Sequence, residues 1–583
     1  MATKQKKGKI VKVSGPVVEV SGLSVGMYEI VKVGEEGLIG EVIKIDKDTF
    51  TAQVYEDTTG IKPGEPVTST SRSLSVELGP GLLGSIYDGI QRPLQVLKEE
   101  AGDFISRGVD AHGISHDKKW DFFPLVNEGD QVSSGDAVGY VKEYDFNHYI
   151  LVPETSNGGK IEEIKRGSFT VEDVVAKLSD GTSVKLSQHQ PVRTPRTFKE
   201  KFAPSIPLLT GQRVYDVFFP VAKGGVAALP GPFGAGKSVT QQSIAKWSDA
   251  EIVVYIGCGE RGNEITELLE EFPELIDPKT GKPMIERTVL VANTSNMPVA
   301  AREASIYSGM TIAEYYRDMG YNVALMADST SRWAEAMREI SARLEEMPGE
   351  EGFPAYLSTK LAHFYERAGR FKTKNGKEGS VTIIGAVSPP GGDFSEPVTQ
   401  NTLKVSRVFW ALDAKLAEKR HYWAINWLDS YSLYHESLEE WFKENIVSDW
   451  RSKVEELMNI LQEEDSLMEI VQLVGSDSLP AHQQLTLEIA RIIREELLQQ
   501  NAFDEVDMYC ELSKANDLID LVLQYKNYAN KALEAGVPVK QIISAKSKYK
   551  IPEVKLSKDY KEILEKSKEE MREEFENLEK EYQ

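Results

Sequence analysis

The sequence predicts a multidomain α/β protein with an N-terminal β-barrel, an inserted β-rich domain, an α/β core and a C-terminal helical domain. Short alternating strands occupy residues 8–70, apolar runs of strand length alternate with helical patterns over 205–435, and helical periodicity alone continues after about residue 440. A chain of 583 residues has room for several domains. We therefore expect the barrel at 1–70, the start of the core at 71–112, the insertion at 113–190, the core at 191–438 and the helical domain at 439–583.

The N-terminal part carries the signals of small antiparallel sheets. The run Lys9–Val20 alternates and then breaks at Gly15-Pro16, and similar runs follow at Gly40–Ile45 and Thr51–Tyr55. The glycine-rich stretch Leu78–Gly84 predicts a linker between this barrel and the rest of the chain. Glycine turns and short apolar runs then recur from about 113 to 190, which indicates a second β-rich module.

The central part predicts a mostly parallel sheet that is covered by helices on both faces. Four apolar runs of strand length support this, namely Ile252–Gly257, Thr288–Ala292, Asn322–Ala327 and Val381–Val387. Beyond the core, the segment from Leu556 carries apolar residues at helical spacing among Glu and Lys, so we expect one amphipathic helix that packs on a neighbour.

Composition excludes several classes of function. The formal net charge of −23 argues against a nucleic-acid-binding protein, because affinity for phosphate backbones comes mainly from Lys and Arg. Two cysteines exclude a disulfide-rich scaffold and favour a reducing compartment. No apolar stretch is long enough to cross a bilayer, and the basic segment Met1–Lys7 lacks the apolar core of a signal peptide. We expect an intracellular protein that reaches a membrane only through other subunits.

The most informative motif is a phosphate-binding loop. It has two glycines, then Lys and Ser, and it lies between a predicted strand, Gly225–Pro230, and a predicted helix with Val239, Ile244 and Trp247 on its apolar face. Glycines let several backbone N–H groups point at one anion, and the helix adds the positive end of its dipole. The predicted nucleotide-contacting residues are Gly231, Pro232, Phe233, Gly234, Ala235, Gly236, Lys237, Ser238 and Val239.

Within this motif two side chains have distinct expected roles. Lys237 is expected to reach the β- and γ-phosphates of a nucleoside triphosphate, and the Ser238 hydroxyl to ligate Mg²⁺. The alternative is an ordinary glycine turn, which the strand–loop–helix context disfavours.

Two acids follow predicted strands of the core. Asp328 ends the run Val323–Ala327 and fits a Mg²⁺-organising carboxylate, whereas Glu260 follows Ile252–Ile256 and fits a residue that orients or deprotonates the attacking water. Arg261 is placed to contact phosphate or to fix Glu260. On spacing alone the alternatives stay open, because an Asp after a strand is common and a Glu beside an Arg is usually a surface pair.

Several motifs taken together resemble one family, the catalytic A subunits of V-type and archaeal A-type rotary ATPases. The resemblance extends over essentially the whole chain, including the 113–190 insertion. Its motifs are Gly231–Ser238, Gly257–Glu264, Ala292–Ala304, Ala327–Glu335 and Val387–Asp393.

The resemblance implies a RecA-like nucleotide-binding core, ATP or ADP with Mg²⁺ as cofactors, and specific roles for residues. It implies that Lys237 binds the β- and γ-phosphates, that Ser238 and Asp328 organise Mg²⁺, and that Glu260 polarises the attacking water. Arg261 and Arg332 would lie near the phosphates. Tyr422 and Phe503 would hold the adenine, although each aromatic residue is more often part of a core.

It also implies the setting in which the chain works. Three copies would alternate with three B subunits in an A3B3 ring, where each B subunit supplies an arginine in trans. Central-stalk rotor subunits and a peripheral stalk would complete the complex, which would couple ATP hydrolysis or synthesis to H⁺ or Na⁺ transport. We expect it at the cytoplasmic face of a prokaryotic plasma membrane.

Two alternatives remain at this point. The chain could be a nucleotide-binding but catalytically silent subunit of such a ring, which the complete loop and Glu260 argue against. It could instead be a ring-shaped RNA translocase or secretion ATPase with the same core. Residues 8–70 lack interleaved basic and aromatic residues, which disfavours RNA binding.

Overall fold

The computed structural model describes residues 7–101, 108, 111–277, 280–502 and 504–582. The chain forms two compact units. The first comprises Met1–Ala203, Lys223–Ala228 and Ala250–Ser406, and the second comprises Pro204–Ala222, Leu229–Asp249 and Arg407–Gln583. Of the predicted site residues, Phe503 lies outside the described residues, as does most of the N-terminal segment Met1–Lys7.

The first unit begins with the predicted antiparallel barrel. Residues 7–73 form a closed barrel in which alternate side chains, such as Val18, Val31 and Val42, fill the interior. Its strands, in their order around the barrel, are Lys7–Ser14, Val17–Ser21, Thr49–Val54, Leu38–Ile45, Glu29–Val33 and Pro66–Ser73.

The β-rich insertion consists of two four-stranded sheets. One sheet has the order Gln131–Val132, Gly159–Ile164, Val174–Leu178 and Ser183–Lys185, and the other has the order Phe146–Leu151, Ala137–Glu143, Trp120–Pro124 and Gly167–Phe169. The strands Ser75–Leu78 and Gln188–Pro191 pair with each other, one on each side of the insertion in the chain.

The linker prediction for Leu78–Gly84 is wrong. Leu82 and Leu83 are buried in the core, and the Glu143 carboxylate accepts the backbone N–H groups of Gly81 and Leu83 at 2.6 and 3.0 Å. Because the insertion supplies this acceptor, the segment is a packed turn and not a flexible connection.

A largely parallel sheet forms the rest of the first unit, as predicted. Its strands run in the order Val226–Pro230, Glu378–Val387, Asn322–Asp328, Ile252–Glu260, Thr288–Thr294 and Ile86–Tyr87, and Glu200–Phe202 and Gly369–Lys372 extend it through antiparallel pairs. The long helix Val299–Asp318 packs against the central strands and is buried over almost its whole length. The other helices are Leu94–Ala101, Gly262–Glu274, Thr330–Arg343, Leu357–Glu366 and Pro397–Val405.

The second unit is predominantly helical. Its last helix, Tyr560–Tyr582, buries Leu564, Met571 and Phe575 and packs on Leu512–Glu534, as the amphipathic pattern predicts. The remaining helices are Val214–Phe218, Lys237–Trp247, Ala414–Glu418, His435–Asn445, Trp450–Val474, Ala481–Ile492, Ile493–Leu498, Val539–Ile543 and Lys550–Lys555, and the short strands are Pro207–Leu208, Val221–Ala222, Val408–Phe409 and Tyr431–Ser432.

Two further properties bear on the sequence analysis. Within the described ranges, no helix has both the length and the apolar character that a bilayer crossing requires. Cys258 and Cys510 are both buried and reduced, and burial raises the pKa of the Cys258 thiol to about 12, so Cys258 is a packing residue.

Candidate functional site

Two of the predicted acids lie at one edge of the parallel sheet in the first unit. Asp328 is the last residue of Asn322–Asp328, and Glu260 is the last residue of the neighbouring strand Ile252–Glu260. The two strands are parallel, with Gly257 aligned with Asp328. Both carboxylates therefore lie at the carboxyl edge of the sheet, where open α/β sheets bind their ligands.

The strand that carries Glu260 is longer than predicted. The apolar run Ile252–Gly257 predicts an earlier end, but Cys258 and Gly259 continue the strand to Glu260. A bulge between Cys258 and Glu260, with Gly259 at φ +70°, ends the regular pairing. A Cβ on Gly259 would also lie 2.7 Å from Cδ of Arg302, so only glycine fits this position.

The carboxyl group of Glu260 is in an unfavourable place for a negative charge. Burial is the largest cause that raises its pKa from an ordinary value of 4.5 to about 8; the charge of Asp328 and a hydrogen bond to Glu264 also raise it, and Arg332 lowers it in part. The raised pKa favours the protonated form of this carboxyl group in the ligand-free protein. A positive charge placed beside Asp328 would favour its ionised form.

Asp328 is buried and held in place. The Tyr255 hydroxyl, which belongs to the same strand as Glu260, donates a hydrogen bond to its carboxylate at 3.1 Å. Burial, together with the charge of Asp328, holds the pKa of Tyr255 well above its usual range, so this hydroxyl stays a donor. The contact fixes one oxygen of Asp328 and orients the carboxylate.

The two predicted arginines lie next to these acids along the chain and reach the surface. Arg332, in the helix Thr330–Arg343 that follows Asp328, is half-exposed and pairs with Glu335 at 2.9 Å. That hydrogen bond raises the pKa of Arg332. Arg261 is exposed and lies between the strand Ile252–Glu260 and the helix Gly262–Glu274.

The predicted phosphate-binding loop lies in the second unit and has the expected conformation. Gly234 and Gly236 have φ of +79° and +93°, and open space surrounds both positions, so the backbone conformation is what requires glycine there. Gly231 is constrained by packing, because a Cβ on it would lie 2.6 Å from Cβ of Leu412. The helix Lys237–Trp247 begins directly after Gly236, whose lack of a side chain leaves the first turn without a side-chain cap.

Within the loop, Lys237 turns back on the backbone. Its ammonium group donates to the carbonyl oxygens of Gly231 and Pro232 at 2.9 and 3.0 Å, which places the charge over the loop. Ser238 is half-buried, and Ala235 is buried. Phe233 is 74 % exposed at the tip of the loop.

One helix-face prediction in this region is wrong. The spacing predicts Val239 on the apolar face with Ile244 and Trp247, but Val239 is 52 % exposed. The helix instead buries Thr240, Gln241, Ile244 and Ala245. Because polar residues occupy part of the buried face, the apolar spacing is misleading here.

Tyr422, one of the two predicted adenine-contacting residues, is 39 % exposed in the second unit. Its carbonyl oxygen accepts the N–H group of Gln500 at 2.6 Å, which brings the chain before position 503 next to it. The neighbouring Trp423 is buried and donates from its indole to Gln212 at 2.6 Å. Tyr422 therefore offers an exposed aromatic ring on a fixed backbone, as stacking on a base requires.

The sequence analysis missed two residues of the sheet-edge group. Glu264 acts on Glu260 through a hydrogen bond, and Tyr255 orients Asp328. Glu264 follows Glu260 by four residues, at the first turn of the helix Gly262–Glu274, and that spacing was a usable signal. No sequence signal marked Tyr255 as a functional residue, because an aromatic residue inside an apolar run is usually a core residue.

The oxygen atoms of Asp328, in the first unit, and of Ser238, in the second unit, are of the kind that binds Mg²⁺. This ion prefers carboxylate, hydroxyl and water oxygens, and Asp328 and Ser238 supply such groups. Burial is the main cause of the raised pKa of Glu260, and the charges of Asp328 and Glu264 add to it, so a divalent cation beside them would lower this pKa.

Comparison with known protein families agrees with this arrangement along the whole chain. Residues 10–71 match the ATP synthase alpha/beta family, beta-barrel domain, and residues 111–193 match the ATPsynthase alpha/beta subunit barrel-sandwich domain. Residues 211–432 match the ATP synthase alpha/beta family, nucleotide-binding domain, and residues 439–543 match the C-terminal domain of V and A type ATP synthase.

Full-length relatives give the same result. An A subunit of the A-type ATP synthase of Methanospirillum hungatei is 60% identical over 578 residues, which is 99% of either chain. The corresponding A subunit of Methanoculleus marisnigri is 60% identical over 98% of either chain. That of Methanosarcina barkeri is 60% identical over 98% of this chain and 99% of the relative.

Among solved structures, the assembled ATPase EscN from the type III secretion system of enteropathogenic E. coli has a TM-score of 0.65. It is 20% identical, and the match covers 88% of this chain and 100% of EscN, so this likeness supports the fold alone. The 60% identity over full length decides between the alternatives. The chain belongs to the ATP synthase alpha/beta family, as a catalytic A subunit of the A-type rotary enzymes, which use ATP or ADP with Mg²⁺.

Proposed function

We propose that the loop Gly231–Ser238 holds the triphosphate of ATP and that the sheet-edge acids carry out the chemistry on it. Lys237 binds the β- and γ-phosphates, and the backbone N–H groups from Gly234 to Ser238 surround the oxygen atoms. Ser238 and Asp328 hold Mg²⁺, which when bound offsets charge on the phosphate oxygens. The left-handed glycines and the uncapped helix start in the loop support this assignment.

Glu260 is the proposed catalytic base. Its carboxyl group would orient the attacking water and accept a proton from it in hydrolysis, and return the proton in synthesis. The observation that carries this assignment is the position of Glu260 beside Asp328 and Glu264 at the carboxyl edge of the sheet, with its pKa raised to about 8 mainly by burial. A base with a pKa near the working pH transfers protons efficiently in both directions.

The remaining proposed roles concern charge and orientation. Arg261 and Arg332 would offset charge on the phosphates, because both guanidinium groups reach the surface next to the acids in sequence. Tyr422 would stack on the adenine through its exposed ring, together with Phe503.

We further propose that the chain works in an alternating A3B3 ring, with an arginine supplied in trans by each B subunit. Central-stalk rotor subunits would turn inside the ring, and a peripheral stalk would hold it. The complex would sit at the cytoplasmic face of a prokaryotic plasma membrane and couple ATP turnover to H⁺ or Na⁺ transport. The full-length similarity to archaeal A-type relatives supports this setting.

Two substitutions test whether the loop binds ATP and whether Glu260 acts in its hydrolysis. In the assembled complex, Lys237→Ala should abolish tight ATP binding, whereas Glu260→Gln should keep ATP binding and lower turnover by about 10²–10⁴-fold. Glu339→Gln, which changes an exposed acid on the helix Thr330–Arg343, is the matched control and should leave both quantities unchanged. Unchanged turnover in Glu260→Gln would remove Glu260 from the mechanism.

The proposed assembly has its own test. Purification of the native complex, followed by identification of its subunits, should yield B subunits in equal number together with stalk subunits. Recovery of the chain as a homohexamer without other subunits would contradict the ring composition and leave the assignment of the acids unaffected.

A further inference from the structure

Three potential metal ligands lie together in the first unit, at the base of the β-rich insertion. They are Glu77, His112 and His116, and their ligand atoms all lie within 4.8 Å of one another. Within the described ranges this is the one group of His, Cys, Asp and Glu residues with such spacing. None of the three belongs to the proposed nucleotide site.

The fold brings these residues together from separate segments. Glu77 lies on the strand Ser75–Leu78, which pairs with Gln188–Pro191 after the insertion. His112 and His116 lie in the loop that leads into the first strand of the insertion, Trp120–Pro124. The cluster therefore joins the strand before the insertion to the loop that enters it.

Glu77 is fixed by its surroundings. Its side chain is 5 % exposed, its backbone N–H and carbonyl groups are both bound by the Gln91 amide, and its carboxylate contacts the His116 ring at 2.7 Å. The N–H group of Ile114 approaches the second carboxylate oxygen at 3.4 Å, which holds the histidine loop close. A buried carboxylate that faces two imidazoles is a preformed anionic ligand.

The two histidines complete an accessible site. Their rings stack with centroids 3.8 Å apart, and His112 is exposed while His116 is partly buried, so an ion can enter from solvent. Ligand atoms around a tetrahedral Zn²⁺ lie about 3.3 Å apart, given Zn–N distances of about 2.0–2.1 Å. The ligand atoms of the three residues, all within 4.8 Å of one another, must therefore move closer together when an ion binds.

The ligand set selects the kind of ion. Two imidazoles and one carboxylate suit Zn²⁺, Co²⁺ or Ni²⁺, whereas Mg²⁺ and Ca²⁺ prefer oxygen ligands throughout.

We propose that Glu77, His112 and His116 form a binding site for a divalent transition-metal ion of the Zn²⁺ class, with solvent in the remaining coordination position. The bound ion would cross-link the base of the insertion by tying the loop at 112–116 to the strand Ser75–Leu78. This site does not depend on the proposed nucleotide chemistry.

Titration of the full chain with Co²⁺ tests the proposal, with excess Mg²⁺ present to occupy sites made of oxygen ligands. The wild type should bind one equivalent and show visible ligand-field absorption. His116→Ala should weaken binding by about 100-fold or more, since even the loss of a residue that only supports a ligand costs 10–100-fold. His112→Ala should also weaken binding, and because His112 is exposed this variant should keep its fold.

The control variant is His482→Ala, which removes a 69 % exposed histidine that lies 3.9 Å from Glu463 in the second unit. It should bind Co²⁺ like the wild type. Zn²⁺ should raise the thermal unfolding midpoint of the wild type and of His482→Ala, but not that of the double variant His112→Ala, His116→Ala. Equal Co²⁺ binding by the double variant, or no binding by the wild type at micromolar Co²⁺, would overturn the proposal.

Discussion

Two groups of buried charges in the first unit differ in how their charges are balanced. One group, which we call the arginine network, contains four arginines and four acids. The other, which we call the acid edge, contains Glu260, Glu264 and Asp328 with Arg332 beside them. The members of the arginine network are Arg193, Arg196, Arg317, Arg367, Glu41, Glu303, Glu314 and Asp318.

In the arginine network each charge meets an opposite charge at hydrogen-bond distance. Arg193 binds Glu41 and Glu303, both at 2.7 Å, and so connects the barrel to the helix Val299–Asp318. Arg367 binds both carboxylate oxygens of Glu314 at 2.9 and 2.6 Å. Such bidentate arginine–carboxylate contacts offset the desolvation free energy of the buried ions.

At the acid edge, burial and charges of the same sign dominate the surroundings of Glu260. Burial and the two neighbouring acids raise the pKa of Glu260 to about 8 against the opposing effect of Arg332. Arg332 is itself engaged by Glu335. The comparison teaches that buried charge alone does not identify a functional site. The informative feature is a buried carboxyl group whose pKa is raised by burial and neighbouring acids, an effect that a bound cation can reverse.

The largest expected effect comes from breaking the arginine network. Arg367→Met leaves Glu314 buried without its two-pronged partner, so it should lower the free energy of unfolding by about 3–5 kcal/mol. The control is Arg572→Ala, which removes an exposed ion pair with Glu569. It should lower the free energy of unfolding by less than about 1 kcal/mol. Denaturant unfolding measures the free energy of unfolding of both variants relative to the wild type. If both variants lose the same small amount, the arginine network contributes nothing to stability.

A comparable effect of opposite sign, which develops only at high pH, is expected at the acid edge. Because the pKa of Glu260 is higher in the folded protein than its ordinary value of 4.5, its stabilising contribution is complete below about pH 4.5 and is lost as pH rises through about 8. Glu260→Gln should therefore match the wild type near pH 4.5 and exceed its stability by up to about 5 kcal/mol at pH 9, since each unit of pKa difference corresponds to about 1.4 kcal/mol.

Unfolding midpoints of the metal-free and nucleotide-free proteins, measured across this pH range, check that prediction. Asp328→Asn provides a second test, because it removes one of the charges that raise the pKa of Glu260 and should shift the pH dependence to lower pH. If the stability difference between the wild type and Glu260→Gln does not change with pH, the pKa of Glu260 is not raised in the folded protein.

The smallest expected effect concerns the cation that would offset the acid edge. Ser238→Ala should weaken binding of Mg·ATP by about tenfold and binding of metal-free ATP much less, because the hydroxyl is the proposed Mg²⁺ ligand and Lys237 remains. Calorimetric titration with and without Mg²⁺ measures both affinities. Equal losses for the two forms of ATP would mean that Ser238 does not contact the metal.

Local patterns predicted much of the fold and of the candidate site. The barrel, the parallel sheet and the glycine loop follow from periodicity and from turn residues, which act over a few positions. Asp328 and Glu260 were found because apolar strands end at them. The resemblance to rotary ATPases rested on longer motifs, and the comparisons confirm the family.

Features that depend on distant contacts were not predictable. The strand Ile252–Glu260 continues beyond the apolar run Ile252–Gly257, because the neighbouring strand Thr288–Thr294 still pairs with Cys258 and, after a bulge, with Glu260. The stretch Leu78–Gly84 reads as a linker, yet Glu143 binds its backbone from the insertion. In both cases the deciding partner is remote or on another element, so the local sequence carries no sign of it.

The protonation state of Glu260 tests the central claim most directly. Infrared difference spectra between the wild type and Glu260→Gln at pH 7 isolate the carboxyl band of this residue, before and after a non-hydrolysable Mg·ATP analogue is added. The account predicts a protonated carboxyl group in the ligand-free protein and its ionisation when the Mg²⁺ charge arrives. A carboxylate that is ionised in both states would contradict the view that burial and neighbouring acids keep Glu260 protonated until a cation arrives.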